Sequence, residues 1–300
     1  MTPNDRYSAR RATFQELVRS PEPLLLAGAY DALSARLVER AGFPATYLGS
    51  FGAAASTFAL PDVGLLTLTE LADAARRMAA ATSLPVLVDG EAGFYEAPNV
   101  WRAVEAFEAA GVVGMHIEDN LGGKHTSRPA GLLRTEEMTQ KIRAALDART
   151  DSNFMIIARS DAAWVTGDIE ECVTRLEAYV AAGADMVFAP AVPAVELREI
   201  RSRIDAPFMV AGDLNDAPGG NRPSSTIEEY AAAGADVVLL WFSLLGAAAQ
   251  GVVDTLDALK GGREVADLDR IISQHTFEDF MGYADYERRA AAYDAPGTDR

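Results

Sequence analysis

Short apolar runs recur along this chain, and stretches with helical spacing lie between them. In residues 100–110, Val100, Val104 and Phe107 fall at i, i+4 and i+7, which is typical of one face of a helix. An Ala-Gly pair ends this stretch and three others, and a glycine just past a helix end can adopt the positive φ needed there. The four apolar runs that follow these pairs are residues 45–48, 113–117, 186–189 and 237–240.

Four further apolar runs complete an alternating pattern of eight strands and intervening helices. They are residues 24–27, 85–88, 154–158 and 208–211. Continuous apolar runs suit parallel strands buried on both faces, and right-handed units of this number close into a barrel. We therefore predict an α/β fold, a single (β/α)8 TIM-type barrel domain over residues 1–300. An open doubly wound sheet is the alternative, but no Gly-x-Gly-x-x-Gly follows the first run.

The C-terminal part of the chain has a different composition. Residues 276–292 mix aromatic side chains with many charges, which predicts one or two amphipathic helices. We expect a helical extension from about residue 265 to residue 300, packed on a partner subunit.

Acidic side chains come directly after several of the predicted strands. Asp89 and Glu91 follow the third strand, Glu118 follows the fourth, and Arg159 follows the fifth. Because a barrel brings the carboxyl ends of its strands to one rim, these groups should converge there. Converging carboxylates repel one another unless a cation joins them, and oxygen ligands favour Mg2+ or Mn2+. Two alternatives stay open: any single acid can be a helix N-cap, and Arg159 can be a structural ion-pair partner rather than a carboxylate clamp.

Charge and cysteine content narrow the class of partner. The formal net charge of −17 disfavours nucleic acid and anionic membrane surfaces as partners. The single cysteine, Cys172, excludes a disulfide framework and a cysteine-based zinc site, and its helical context predicts a small buried side chain. With no apolar signal segment near the N-terminus, we expect a cytoplasmic protein.

The motifs at the predicted strand ends, taken in order, resemble those of the phosphoenolpyruvate mutase/isocitrate lyase superfamily. The matching pieces are residues 28–35, Gly49-Ser50, Leu60-Pro61-Asp62, residues 89–94, Glu118-Asp119, Lys124 and residues 156–162. The resemblance implies a barrel whose last helix is exchanged between subunits of a homodimer or homotetramer. It also implies Mg2+, with Mn2+ as a substitute, and a small 2-oxo or 2-hydroxy carboxylate handled through an enolate-like species.

The resemblance also implies roles for individual residues. Asp89 matches the direct metal ligand, and Glu91 and Glu118 match ligands that act through water. Lys124 and His125 lie on the loop that would close over the site, and with Arg159 they form the expected catalytic set. The expected substrate-binding residues are Tyr47, Ser50, Phe51, Gly52, Asp62, Thr126, Ser127 and Arg159.

The chain departs from the superfamily pattern at informative positions. Glu91 stands where an aspartate is usual, and Thr126 replaces the catalytic cysteine of the C–C lyases. A threonine hydroxyl is a poor general acid, which disfavours isocitrate or methylisocitrate lyase activity and leaves His125 as a candidate proton donor. Pro190 stands where those lyases have a glutamate, so the subsite for a second carboxylate is rebuilt.

These observations favour a Mg2+-dependent C–C lyase or decarboxylase acting on a small 2-oxo or 2-hydroxy mono- or dicarboxylate. P–C mutase or hydrolase chemistry on phosphonopyruvate is the alternative, because Lys124 and Ser127 match the loop of those enzymes. A protein that binds a metabolite without converting it is the second alternative. Two further expectations concern packing: His116 either faces the site or packs in the barrel, and Trp101 and Trp164 are packing residues, with Trp164 close enough to the fifth strand to touch the rim.

Overall fold

A computed structural model describes residues 3–123, 126, 131–213, 225–264, 266, 268 and 271–293 of the chain. The chain divides into two compact units, Met1–Gly246 and Ala247–Arg300, and each is described by itself. Three residues assigned to the site from the sequence, Lys124, His125 and Ser127, lie outside the described residues.

Eight parallel strands form a closed barrel in the first unit, each hydrogen-bonded to the next in sequence and the last to the first. The strands are β1 Leu24–Ala29, β2 Thr46–Leu48, β3 Val86–Asp89, β4 Gly114–Glu118, β5 Met155–Arg159, β6 Met186–Phe188, β7 Phe208–Ala211 and β8 Val237–Leu240.

Helices precede β1 and connect the successive strands of this unit. They are α1 Pro3–Val18, α2 Ala32–Arg40, α3 Ser50–Phe58, α4 Leu68–Ala81, α5 Trp101–Ala110, α6 Thr135–Ala148, α7 Ala162–Val165, α8 Ile169–Ala181, α9 Ala194–Ile200 and α10 Ile227–Ala232, with 3-10 turns at Ala97–Asn99 and Arg201–Arg203.

Strand side chains alternate between two hydrophobic cores. Leu26 of β1 belongs to the core inside the barrel, whereas its neighbour Ala27 belongs to the core between the strands and the outer helices. Phe14 and Val18 of α1 join the inner core, and Arg11 of the same helix donates to the backbone just before β4. Helix α1 therefore covers the N-terminal end of the barrel, which leaves the opposite rim for chemistry.

The structure confirms the predicted fold class and the eight predicted strands. The glycines after the helices have the expected positive φ, for example 86° at Gly111 and 103° at Gly183. The strand ends need a correction. Asp89, Glu118 and Arg159 are the last residues of β3, β4 and β5 rather than the first residues after them, so backbone pairing holds each of them in place.

The second unit is helical in its described part. Helix α11 runs from Ser243 to Lys260 and so begins just before this unit, α12 covers Gln274–Met281, and α13 covers Tyr283–Tyr293. The expectation of one or two tail helices is met by α12 and α13, whereas the single-domain boundaries and the exchange of a helix between subunits stay predictions. Within the described residues, every helix is too short or too polar to cross a bilayer.

Candidate functional site

Three carboxylates meet at the C-terminal rim of the barrel. One oxygen from each of Asp89, Glu91 and Glu118 lies within 4.8 Å of the other two. Asp89 and Glu118 are only 3% and 2% exposed, while Glu91 is half-buried in the turn after β3. Strands β3 and β4 are neighbours, so their ends bring these acids together as the sequence predicted. Such a set of oxygen donors fits a hard divalent cation.

The turn that carries Glu91 is held in an unusual backbone conformation. Glu91 has a φ of +49°, which is uncommon for a residue other than glycine and persists only where the surroundings enforce it. Its N–H donates to Asp89 Oδ1 at 2.8 Å, and its carbonyl accepts from the Glu118 N–H at 2.9 Å. The ammonium of Lys141, on α6, donates to the Ala92 carbonyl at 2.8 Å. The turn is thus anchored from both sides, which fixes the position of the Glu91 carboxylate.

Ser50 places a hydroxyl between two acids at the start of α3. Its Oγ lies 3.0 Å from Asp62 Oδ1 and 3.0 Å from Asp89 Oδ2, and its one proton can serve only one of them at a time. The first-turn amides of a helix have no partner within the helix and carry partial positive charge. Gly52 in this turn permits close packing, because a Cβ there would lie 2.9 Å from Tyr30 Cβ. The start of α3 thus lies beside the acids, where the Ser50 N–H donates to Asp89 Oδ2 at 3.4 Å, and the substrate contacts expected of Ser50, Phe51 and Gly52 stay predictions.

Arg159 is the cation of the site, and two acids fix its orientation. Its Nε and one terminal nitrogen donate to the two oxygens of Asp161 at 2.7 and 3.0 Å. Its other terminal nitrogen lies 3.2 Å from Glu118 Oε2. Burial opposes the charge, but Asp161 and Glu118 outweigh it and raise the pKa of Arg159 well above its ordinary value. The guanidinium is therefore a structural ion-pair partner, which is one of the two interpretations of the sequence, and its expected role toward a substrate carboxylate stays a prediction.

A buried hydrogen-bond network around Asp119 holds the backbone of Asp161, and this network was not predicted from the sequence. Asp119 Oδ1 accepts from the Asp161 N–H at 2.9 Å, and its Oδ2 accepts from the hydroxyls of Ser160 and Tyr179 at 2.8 Å each. Burial raises the pKa of Asp119, and these hydrogen bonds partly offset that effect. The sequence held a signal for this network: Asp119 directly follows Glu118, and strand alternation directs neighbouring side chains to opposite sides, so Asp119 points away from the side that Glu118 occupies.

His116 belongs to the site, a point that the sequence left open. It is fully buried, its Nε2 lies 2.9 Å from the hydroxyl of Tyr47, and its Nδ1 lies 3.6 Å from Asp89 Oδ1. The hydroxyl of Tyr47 is also 3.4 Å from Asp89 Oδ2. One residue, Ile117, separates His116 from Glu118 on β4, so strand periodicity places both on one face. The pair Tyr47–His116 thus packs against the carboxylate expected to bind the metal directly.

A cleft of about 440 Å³, measured with its open mouth, lies over these groups. Its polar lining comes from Tyr47, Asp62, Asp89 and Arg159. The remaining lining is Gly49, Phe51, Trp164, Phe188, Pro190, Ala211, Leu239 and Trp241. The arrangement can hold a small anion against a cation and present its other end to an apolar surface.

Comparison with known proteins places this architecture in a family. The sequence profile of the phosphoenolpyruvate phosphomutase family matches residues 14–260. The chain belongs to that family. The resemblance recognised from the motifs, to the phosphoenolpyruvate mutase/isocitrate lyase superfamily, is therefore confirmed, as is the assignment of the protein as an enzyme of this superfamily.

Curated relatives of this phosphomutase-family chain are lyases. It is 37% identical over 279 residues to 2-methylisocitrate lyase of Shewanella oneidensis, covering 89% of this chain and 94% of that protein. It is 35% identical over 274 residues to 2,3-dimethylmalate lyase of Eubacterium barkeri, covering 90% of this chain and 93% of that protein.

Solved structures of the family share the fold over nearly the whole chain. Phosphoenolpyruvate phosphomutase from Streptomyces platensis subsp. rosaceus superposes with a TM-score of 0.82 at 33% identity, covering 94% of this chain and 99% of that one. A complex of phosphonopyruvate hydrolase with oxalate and Mg2+ superposes with a TM-score of 0.80 at 26% identity, covering 98% and 99%.

The other predicted residues of this phosphomutase-family chain have different outcomes. Thr126 is exposed, and its hydroxyl donates to the Gly123 carbonyl at 2.7 Å. Trp164 lines the cleft, in agreement with its expected position near the rim, whereas Trp101 is 45% exposed, so its description as a packing residue was wrong. Asp31, which also follows a strand, is the N-cap of α2 and shows that the capping alternative applies there. Lys124, His125 and Ser127 stay predictions from sequence.

Proposed function

We propose that this protein is a Mg2+-dependent lyase that cleaves a C–C bond next to a 2-oxo or 2-hydroxy carboxylate. The observation that carries the proposal is the cluster of Asp89, Glu91 and Glu118 within 4.8 Å, with Arg159 in contact with Glu118. The names of the two curated relatives, lyases of methylisocitrate and dimethylmalate, support C–C cleavage in a small carboxylate.

The donor set fits Mg2+ better than a soft or borderline metal. All three candidate ligands are carboxylates, and two of them are almost fully buried, so their mutual repulsion favours a divalent cation. Asp89 would bind the ion directly, and Glu91 and Glu118 would bind through water. When bound, Mg2+ supplies positive charge that offsets the negative charge developing on the substrate during bond cleavage. Mn2+ prefers the same ligands and is the expected substitute.

The chain's own residues orient the substrate. Arg159 pairs with the substrate carboxylate, since the contacts with Asp161 and Glu118 leave N–H groups on both terminal nitrogens. The first-turn amides of α3 and the hydroxyl of Ser50 stabilise oxygen atoms on which charge accumulates as the C–C bond breaks. A 2-hydroxy substrate loses its hydroxyl proton to water as that hydroxyl becomes a carbonyl, and breaking the C–C bond leaves an enolate-like fragment that takes up one proton. Lys124 and His125 are the proposed sources, with Thr126 and Ser127 as the neighbouring loop contacts.

Phosphonopyruvate chemistry is the second candidate. The specific support is the 33% identity and TM-score of 0.82 with a phosphoenolpyruvate phosphomutase structure. The same carboxylates and Arg159 would also suit cleavage of a P–C bond, so they do not discriminate between the two reactions. The other residues that line the cleft must determine which bond is cleaved. A non-catalytic protein is not proposed, because the chain is a member of an enzyme superfamily.

We further propose that the C-terminal helices assemble subunits into a homodimer or homotetramer by exchange of a helix. In the described residues of α11, α12 and α13 no side chain is buried, although several are large and apolar. Val252, Leu256 and Tyr286 are 59%, 60% and 66% exposed. Large apolar side chains exposed along helices are typical of a protein interface. A cytoplasmic location, and the absence of nucleic-acid and membrane partners, stay predictions from composition.

One panel of substrates separates the candidate reactions. The purified protein with Mg2+ is incubated with oxaloacetate, 2-methylisocitrate, 2,3-dimethylmalate and phosphonopyruvate, and release of pyruvate and of phosphate is measured. Cleavage of one of the first three compounds, lost in Asp89→Ala but retained in Asp185→Ala at the other end of the barrel, supports the proposal. Release of phosphate from phosphonopyruvate, or its conversion to phosphoenolpyruvate, would replace the proposal with P–C chemistry.

A further inference from the structure

A buried lysine lies against the turn that carries Glu91. Lys141, on α6, is 4% exposed, and lysines are almost never buried to this extent unless they are paired. Within the described part of the chain, its ammonium donates to a backbone carbonyl, that of Ala92, rather than to a carboxylate. Burial lowers the pKa of Lys141, and Glu96 and Glu137 only partly offset this effect. The charged side chain is therefore held here at a cost in stability, which calls for a functional reason.

The turn after β3 needs support, because its backbone is strained. Glu91 and Phe94 have φ values of +49° and +60°, in the left-handed region that favours glycine. The aliphatic stem of Lys141 packs on Gly93 between them, since a Cβ there would lie 3.3 Å from Lys141 Cδ. A strained backbone persists only where its surroundings over-determine it. Lys141 contributes to this in two ways, through its stem and through its ammonium.

The ammonium also acts on a cation through its charge. Lys141, Glu91 and Glu118 line one cavity of about 990 Å³, measured with its open mouth. An ammonium in the same cavity as two proposed metal ligands repels a divalent cation. The direct electrostatic effect of Lys141 therefore weakens metal binding, whereas its support of the turn strengthens it. The two effects have opposite signs, so one measurement can separate them.

We propose that Lys141 is a positioning residue for the metal site, because its hydrogen bond to the Ala92 carbonyl places the carboxylate of Glu91 among the other acids. The Glu91 N–H donates to Asp89 Oδ1 and the Glu91 carbonyl accepts from the Glu118 N–H, so a shift of this turn disturbs all three acids. The inference rests on the proposed function, from which the metal site is taken. It adds that α6 sets the affinity of this site, with support of the turn outweighing the repulsion between the two cations.

Lys141→Met tests the proposal by metal binding alone. Methionine keeps an unbranched stem but cannot donate, and replacing a buried charge by an apolar side chain of similar volume usually retains folding. Mg2+ is titrated against the purified protein by calorimetry, and Tm is measured alongside. We expect the Kd for Mg2+ to rise by ~10-fold or more, the change typical of groups that support metal ligands. Lys141→Gln, with a shorter side chain in the same cavity, should give the same rise and is the second variant. An unchanged Kd would refute the positioning role, and a lower Kd would mean that repulsion dominates.

Arg10 provides the matched control for loss of a buried cation. It is 9% exposed, donates to the Ala79 and Thr82 carbonyls at 2.7 and 2.6 Å, and its pKa is also lowered by burial. Arg10→Met should lower Tm but leave the Kd for Mg2+ within about threefold of that of the unmodified protein, because its contacts lie away from the acids. A ~10-fold rise in this variant as well would indicate a general loss of packing and overturn the assignment.

A double-mutant cycle tests whether Lys141 acts through Glu91. Glu91→Gln removes one carboxylate and leaves Asp89 and Glu118 to bind the ion. In this background Lys141→Met should change the Kd by less than about threefold, because the group that Lys141 positions no longer contributes. A full ~10-fold rise in both backgrounds would exclude Glu91 as the intermediate and refute the proposal.

The outcomes distinguish the two proposals. If the unmodified protein binds Mg2+ and Lys141→Met binds it equally well, this inference fails and the proposed function stands. If the unmodified protein does not bind Mg2+, the proposed function fails and this inference fails with it.

Discussion

The guanidinium of Arg159 makes a pair of hydrogen bonds to Asp161, which we call the Arg159 fork. A substitution that keeps the charge of this residue tests the role of the fork. Lysine retains the positive charge, but its single ammonium cannot reproduce the paired hydrogen bonds to Asp161 at 2.7 and 3.0 Å together with the 3.2 Å contact to Glu118. Arg159→Lys therefore removes the paired hydrogen bonds and leaves the long-range electrostatics nearly unchanged. Any loss measured in this variant reports on the fork itself.

The size of the effect follows from the hydrogen bonds that a lysine cannot make. Hydrogen bonds to charged groups contribute about 1.5–3 kcal/mol each. A lysine makes one of the two hydrogen bonds to Asp161 and loses the other, so we expect a decrease of about 2 kcal/mol in the free energy of unfolding. For a protein of this size that is a decrease of roughly 4 °C in Tm. Oxalate affinity in the presence of Mg2+ should fall by ~10-fold or more, because planar two-point recognition of the carboxylate is lost.

Arg149 provides the matched control. A single terminal nitrogen of Arg149 donates to Asp185 Oδ2 at 2.6 Å and to the Phe154 carbonyl at 3.0 Å, an arrangement that an ammonium can imitate. Arg149→Lys should therefore cost less than about 1 kcal/mol and leave oxalate binding unchanged. Calorimetric titration and thermal unfolding measure both quantities. The role of the fork is refuted if Arg159→Lys binds oxalate within about threefold of the unmodified protein and unfolds at the same temperature as Arg149→Lys.

The remaining predictions concern the metal, the cysteine and the assembly. Mg2+ should raise the Tm of the unmodified protein but not of Asp89→Asn, because that variant lacks the proposed direct ligand; an equal rise in both would exclude Asp89 from that role. Burial raises the pKa of Cys172 to about 12, so the folded protein should not react with a thiol reagent at pH 8 while the unfolded chain does. The pKa of Cys172 in the folded protein exceeds that of a free thiol, which is about 8.5. The contribution of this thiol to the free energy of unfolding is therefore constant below pH ~8.5 and decreases as the pH rises toward 12. Comparing the unfolding of the unmodified protein and of Cys172→Ala across this pH range checks the prediction. Leu256→Glu, at a 60% exposed position on α11, should reduce the molar mass measured by light scattering, and an unchanged mass would count against assembly through this helix.

Much of the fold could be predicted because its signals are local. Apolar runs, helical spacing and glycines after helices repeat along the chain, and each depends on a few neighbouring residues. The positions of Asp89, Glu118 and Arg159 at strand ends followed from the same pattern, and a barrel must bring strand ends together. The superfamily motifs added roles to these positions; the family match confirms the superfamily, and the roles stay predictions.

Other features of the site depend on contacts that sequence spacing does not report. The fork between Arg159 and Asp161, the network around Asp119, and the position of His116 against Tyr47 and Asp89 all rest on side-chain direction at strand ends. Asp31 and Asp89 both follow apolar runs, yet one caps a helix and the other faces the barrel axis. An acidic residue after a strand can cap the next helix or join the site, and the residues around it determine which of the two it does.

The sequence by itself determined the alternation of strands and helices, the ring of acids at one rim, and the superfamily. Tertiary structure decided the left-handed conformation of Glu91 and the contact between Phe51 and Trp241 in the lining of the cleft. The physical reason is closure of the barrel. Hydrogen bonding of β8 to β1 brings Trp241 against Phe51, two rings that lie near opposite ends of the barrel sequence and whose contact no local pattern encodes.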